Sequence, residues 1–180
     1  MSRLRVFTAE KPQSPLLTTT ESDVIVRALA AHGAEFERVS SVLDLSPNAS
    51  AEDVLRAYEP FITGQKAARG YKTADVVRIA RGQTGTESMR AKFLSEHTHS
   101  EDESRLFAEG SGAFFLHLSG QVFELICEKG DYLRVPAGTK HWFDMGSKPF
   151  FTAVRLFTDP SGWVAQFTGN NIASRFPKFE

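Results

Sequence analysis

A chain of 180 residues that is 41% hydrophobic is long enough to bury one sizeable core, which excludes an intrinsically disordered protein. Its 21 basic and 22 acidic side chains leave a net charge of −1, so there is no electrostatic footprint for nucleic acid or an anionic membrane, and the expected partner is a small molecule. The single cysteine, Cys127, excludes an intramolecular disulfide and a thiolate cluster. MSRLRVFTAE has no apolar leader and nowhere do eighteen apolar residues run together, so the expectation is a cytoplasmic protein without a membrane anchor.

In chain order, Thr20-Glu21-Ser22-Asp23 reads as a capping box for a helix carrying Val24, Ile25, Ala28, Leu29 and Ala31, stopped by Gly33. A short strand, Phe36 to Val39, follows. Ser50-Ala51-Glu52-Asp53 is a second cap, for a helix with Val54, Leu55 and Tyr58 that Pro60 kinks or restarts and Gly70 ends. Ala74 to Ala80 is β-rich in composition, and Thr86 to Leu94 reads as one more short helix. After Ser95 short apolar runs recur about every ten residues between Gly, Pro and Asp. They are Arg105 to Ala108, Ala113 to Leu118, Val122 to Cys127, Tyr132 to Val135, Phe150 to Phe157 and Trp163 to Phe167. That spacing predicts an all-β barrel or sandwich with N-terminal helices packed outside it. The expected organisation is a single domain, 1–180: a mostly helical elaboration over 1–94, a barrel core over 95–169, and a tail over 170–180 that adds a helical turn.

Three of the five histidines fall in two short segments of the barrel region. His97 and His99 are two apart, a spacing that puts both rings on one face of a strand but on nearly opposite faces of a helix. Glu103 shares their parity, yet four strand residues would carry it about 13 Å from His99. The chain must therefore bend at the polar Ser100-Glu101-Asp102, with a second strand starting near Glu103. In Pro136-Ala137-Gly138-Thr139-Lys140-His141, Pro136 fixes φ and Gly138 allows a positive one, making a turn that delivers His141 to the start of the next strand. Three imidazoles and a hard carboxylate suit Fe, Ni, Zn or Cu, and four protein ligands on an octahedral ion leave two positions for a chelating substrate. His32 and His117 read as ordinary structural histidines.

The spacings His97-x-His99-x3-Glu103-x6-Gly110 and Gly130-x5-Pro136-x-Gly138-x2-His141 resemble the two motifs of the cupin superfamily. This implies a mainly β fold, a cupin-type antiparallel β-barrel (jelly roll) holding a metal in its mouth. Ala91 and Met145 depart from the residues usual there, and neither is a ligand. Within that superfamily the chain is similar to the bacterial acireductone dioxygenases. The resemblance is carried by Lys92-Phe93-Leu94-Ser95-Glu96-His97-Thr98-His99, Glu101-Asp102-Glu103-Ser104-Arg105-Leu106-Phe107, His141-Trp142-Phe143-Asp144-Met145-Gly146 and Gly162-Trp163-Val164-Ala165-Gln166-Phe167-Thr168-Gly169. It is closest over the second half and looser over the first 70 residues.

The resemblance implies one Fe(II) or Ni(II) bound by His97, His99, Glu103 and His141, and oxidation of 1,2-dihydroxy-5-(methylthio)pent-1-en-3-one by O2 in methionine salvage. The iron form would give 4-methylthio-2-oxobutanoate and formate; the nickel form, 3-methylthiopropanoate, formate and CO. It also places Phe93, Phe143 and Trp163 near the substrate pocket, where an apolar wall suits a methylthio tail.

Arg105, two residues after Glu103, shares its face and points into the barrel. A guanidinium is costly there unless an anion meets it, either an acid of the barrel or an enediolate substrate whose second hydroxyl it would help ionise. Arg155 is a second charge within a β run, directed either inward to the substrate or outward to solvent. Glu96 and Asp102 flank the ligands on the opposite parity, where they would accept hydrogen bonds from the metal-bound rings, help recruit metal, or lie solvated on loops. A metal-dependent sensor or binding protein is the rival class, disfavoured by the lack of a basic helix or signalling segment. No heptad or long apolar stripe calls for a partner, so a monomer is expected.

Overall fold

The computed structural model describes residues 1–40, 43–159 and 164–180. Its chain-order elements are β1 (Arg3–Thr8), β2 (Leu17–Thr19), α1 (Ser22–Ala30), β3 (Glu35–Arg38), α2 (Ala51–Ala57), α3 (Glu59–Arg69), β4 (Thr73–Ile79) and α4 (Glu87–Phe93), then β5 (His97–Thr98), β6 (Glu103–Leu118), β7 (Gln121–Glu128), β8 (Asp131–Val135), β9 (Lys140–Asp144), β10 (Phe151–Phe157) and β11 (Gln166–Phe167). A 3-10 turn, Ile172–Arg175, follows. All strand pairs are antiparallel, in two sheets ordered β2-β1-β7-β6-β9-β5-β11 and β4-β10-β6-β8-β3, so that β6 belongs to both. The architecture is mainly β and cupin-type.

The runs Arg105 to Ala108 and Ala113 to Leu118, expected as separate strands, are one 16-residue strand that corners between the sheets. At the corner Phe107 pairs with Ala153 and Glu109 with Thr152, leaving Ala108 as the extra residue of a bulge. A bulge exchanges the faces of a strand. Before it the odd residues of β6, including Phe107, face the shared interior, while Leu106 and Ala108 pack under α2 and α3; after it Phe114 and Leu116 face inward and Ala113 and Phe115 outward. Gly110, at φ +66°, completes the corner, for a Cβ there would sit 1.8 Å from the Phe150 carbonyl oxygen.

The interior is filled by Phe107, Phe114, Phe143, Phe151 and Leu133, joined by Leu4 and Val6 of β1 and by Ile25 and Leu29 of α1. On the second sheet α2 and α3 pack Val54, Tyr58 and Ile62 over Tyr132 and Leu156. Ile172, Ala173 and Phe176 of the tail cover the other sheet, where Trp142 and Phe115 stack at 5.0 Å.

The Ser50 capping box forms, with Ser50 and Asp53 exchanging side-chain and backbone bonds. The helix then restarts at Pro60 and closes on left-handed Gly70. The first expected box does not form: Glu21 is the N-cap, makes no side-chain cap bond, and donates its backbone N–H to Thr19 Oγ1 at 3.1 Å. Among the described residues the first 94 hold four strands beside four helices, more strand than the mostly helical expectation allowed for. Arg3–Thr8 becomes a strand because Leu4 and Val6 alternate into the core while Arg5 reaches Glu124 on β7. Of the expected Trp163 to Phe167 strand, only Gln166–Phe167 is strand, and Trp163 lies outside the described residues.

Candidate metal centre

The bend after His99 brings the predicted ligands together. His97 opens β5, Glu103 opens β6 and His141 is the second residue of β9, paired directly with His97. One donor atom from each of His97, His99, Glu103 and His141 lies within 4.8 Å of the others, and all four residues are buried. Ring centroids are 4.4 Å apart for His97 and His141 and 5.3 Å for His99 and His141, while His141 Nε2 is 2.6 Å and His99 Nε2 3.6 Å from Glu103 Oε2. Such a set of nitrogen and oxygen donors, converging inside an apolar barrel, fits a divalent transition metal.

The two ligand-bearing segments are tied to each other. Gly138, at φ +74°, donates its N–H to the His99 carbonyl at 2.8 Å. Asp102 accepts from the Ala137 N–H at 2.9 Å and from Arg134 at 2.5 Å. Asp102 thus holds the Pro136–Gly138 turn against the bend, its two oxygens engaged by Ala137 and Arg134 rather than by a ligand ring. The ring partners are backbone carbonyls: His97 Nδ1 donates to Ser95 O at 2.7 Å and His141 Nδ1 to Thr139 O at 2.8 Å. Because a carbonyl only accepts, these bonds place the proton on Nδ1 and leave the Nε2 lone pair for a metal. A backbone hydrogen bond with Val164 supports His99.

Glu96 likewise bonds none of these rings. It is 1% exposed, turned from the ligands, and accepts from His117 Nδ1 at 2.7 Å and Thr168 Oγ1 at 2.6 Å. The sequence left Glu96 open between accepting from the ligand rings, recruiting metal and lying solvated; its two donors come from β6 and from just beyond β11 and leave no local signal. Glu101 reaches Thr158 at the end of β10.

Electrostatics prepare the donors. Burial first, then neighbouring His141, lowers the His97 pKa to about 4, and burial lowers His99 too. Burial alone would raise Glu103, but Arg105 foremost and then His141 more than offset it and hold the carboxyl well below the usual range. At neutral pH the pair of imidazoles is neutral and the carboxylate ionised, the protonation state that metal binding requires.

Above the donors lies a cavity of about 180 Å³, lined by Phe93, Phe143, Arg105, Arg155, Lys92, Ala165 and Phe167 along with the four ligands. Phe93 and Phe143 meet edge to face at 5.9 Å. Arg105 points inward with Nη2 2.6 Å from Glu103 Oε1, and its guanidinium lies over the rings of Phe114 and Phe143 at 5.3 and 5.4 Å. The acid that meets it inside the barrel is therefore a member of the ligand set. Arg155 also faces the cavity, in register with Arg105 on one side and with Asp75 on the other, and it is bonded to Asp75 through Nε at 2.7 Å. Lys92, Ala165 and Phe167 were not singled out by sequence reasoning, although all three stand in strings that carried the resemblance. His32 packs on Phe123, outside the cluster.

Residues 3–165 match the family model described as the ARD/ARD' family. The chain is 47% identical over 178 residues to an acireductone dioxygenase of Klebsiella pneumoniae subsp. pneumoniae, covering 99% of each chain. It is 46% identical over 180 residues to one of Serratia proteamaculans, covering all of both. A solved structure, an acireductone dioxygenase from Bacillus anthracis with a cadmium ion in its active centre, superposes with a TM-score of 0.77 over 93% of this chain and 98% of its own at 23% identity, a likeness of fold. With its four-donor cluster and its full-length similarity, this chain belongs to the acireductone dioxygenase family.

Proposed function

We propose that the chain is an acireductone dioxygenase, binding one Fe(II) or Ni(II) through His97, His99, Glu103 and His141 and cleaving 1,2-dihydroxy-5-(methylthio)pent-1-en-3-one with O2. The iron form gives 4-methylthio-2-oxobutanoate and formate; the nickel form gives 3-methylthiopropanoate, formate and CO. The observation that carries this reading is the four-donor cluster beneath a cavity that combines aromatic walls with two inward-facing arginines.

A metal held by His97, His99, Glu103 and His141 would supply Lewis acidity to a chelating enediol. Arg105 supplies the second cation. Its N–H groups, held over Phe114 and Phe143, meet an enediolate oxygen and favour loss of the second hydroxyl proton, making the electron-rich dianion that reacts with O2. Arg155, anchored by Asp75, adds positive potential without leaving its strand. Phe93, Phe143 and Phe167 exclude water and receive the methylthio tail. The long strand β6, shared by both sheets, supports treating 1–180 as one cupin domain. A cytoplasmic location and a monomeric state complete the reading, to be checked by cell fractionation and sedimentation.

The test is to mix anaerobically generated acireductone with iron- or nickel-reconstituted protein, admit O2 and identify the products. Formate without CO from the iron form and CO from the nickel form support the assignment. If neither form consumes the enediol faster than buffer, the assignment fails. A metal-dependent sensor would bind the anion in this assay without turnover.

A further inference from the structure

The wall of the cavity formed by Ala165 and Phe167 is tied at its start by the hydrogen bond between Val164 and His99, and its own strand adds little to that. Among the described residues strand β11 is two residues long and pairs only with β5, itself two residues, through Gln166 with Thr98 and Phe167 with His97. Val164 and Phe167 are 70% and 57% exposed, so apolar burial gives this segment little anchorage. A strand pair this short does not offset the entropy of ordering its own backbone. Yet the Phe167 ring stands 5.8 Å from the His97 ring and closes one side of the cavity.

Further anchorage comes one residue beyond the strand, where the exposed Thr168 bonds the buried Glu96. Thr168 donates its N–H to the Glu96 carbonyl at 3.1 Å and its hydroxyl to Glu96 Oε2 at 2.6 Å, and the Thr168 hydroxyl also accepts from the Asn170 N–H at 3.2 Å. The other carboxylate oxygen of Glu96 is held by His117 Nδ1 at 2.7 Å. Glu96 precedes the ligand His97, and His117 is in register with Lys140, the residue before the ligand His141. A carboxylate in a water-excluded place, held by two donors, is far stiffer than an exposed one.

We propose that Thr168 and His117 are positioning residues of the reaction: acting through Glu96, they clamp the 164–168 segment across the mouth of the metal site and so set the cavity wall that the substrate's tail meets. The proposal rests on the acireductone dioxygenase reading only for the identity of that substrate. Thr168→Val keeps the shape of the side chain and removes the hydroxyl, and Thr168→Ser keeps the hydroxyl. Hydrogen exchange on the nickel-loaded full chain reads the clamp directly: T168V raises exchange in the 164–168 peptide about tenfold while leaving the β6 and β7 peptides unchanged, and T168S restores protection. His117→Phe, which withdraws the other donor without touching Thr168, accelerates the same peptide. In turnover, T168V raises KM about fivefold with kcat within about twofold, the pattern of lost substrate positioning, and T168S reverses it. Unchanged exchange in T168V and H117F overturns the clamp. Faster exchange with an unchanged KM overturns its part in substrate positioning. If the wild-type protein consumes no acireductone, the dioxygenase reading falls and the exchange experiment still decides whether the clamp exists.

Discussion

Arg105 and Glu103 face each other across 2.6 Å inside the barrel, so a buried guanidinium already balances the carboxylate of the ligand set. Replacing Arg105 by Met keeps the bulk and removes the charge. The metal-free variant is expected to lose roughly 3 kcal/mol, the scale for stripping one partner from a buried pair. Nickel should recover most of that loss, because the ion takes over the balancing charge. Turnover should fall at least about a hundredfold, as for loss of an oriented cation at a developing anion. Thermal unfolding with and without nickel, alongside kcat/KM, checks both; wild-type turnover in R105M would remove Arg105 from the chemistry.

Metal binding should be visible as stability. At about a hundredfold excess over its Kd, nickel is expected to add about 2.7 kcal/mol to the unfolding free energy of the wild type, reversed by chelator. His97→Ala, His99→Ala, Glu103→Ala and His141→Ala should each abolish the increment. His32→Ala, which loses a ring packed on Phe123 outside the cluster, should retain it. A full increment in any of the four ligand variants would exclude that residue from the site.

Gly112 has a quite different task from Gly110. A Cβ at position 112 would fall 2.4 Å from Cζ of Phe143, so the cavity wall stands where it does because position 112 has no side chain. Gly112→Ala should cost about 2 kcal/mol of stability by overpacking. It should also raise KM as Phe143 is pushed toward the cavity. Denaturant titration and steady-state kinetics measure the two effects; a stability loss with native KM would mean that the ring yields in some other direction.

Asp144 supplies a pH dependence clear of the metal ligands. Burial alone would raise its pKa, but the Arg90 guanidinium and the N–H groups of Gly146 and Phe179 more than offset this and leave it below the usual carboxylate value. A lowered folded-state pKa stabilises the fold above the unfolded-state value and loses that stabilisation as pH falls through the folded-state value. Asp144→Asn should therefore be less stable than wild type by about 2 kcal/mol at pH 7. The gap should shrink below about pH 4. A gap independent of pH would show that the carboxylate charge plays no part in docking the tail against α4.

Local chemistry made part of this molecule legible beforehand. The alternation of His97 and His99, the distance that forbids Glu103 from continuing their strand, and the turn of Pro136 and Gly138 all act within a few residues. They carried enough to anticipate how the four donors gather. The Ser50 capping box and the restart at Pro60 are local in the same sense. The Thr20 to Asp23 box shows the limit, since Thr19 bonded the chain first and left Glu21 as the cap. For Glu96 and Asp102 the sequence left ring acceptance, metal recruitment and solvated acids open; the rings of His97 and His141 meet backbone carbonyls two residues away, at no cost in loop order.

The sequence by itself determined the ligand types, their spacing and the β character of the region that holds them, because side-chain alternation and turn chemistry are properties of neighbouring residues. Only the tertiary structure decided that Ala108 bulges and exchanges the faces of β6, that β1 completes the sheet, that Arg105 rests on Glu103, and that His117 and Thr168 meet on Glu96. Each of these depends on strand register or on contacts between distant segments, which packing of the whole core selects and no local period encodes.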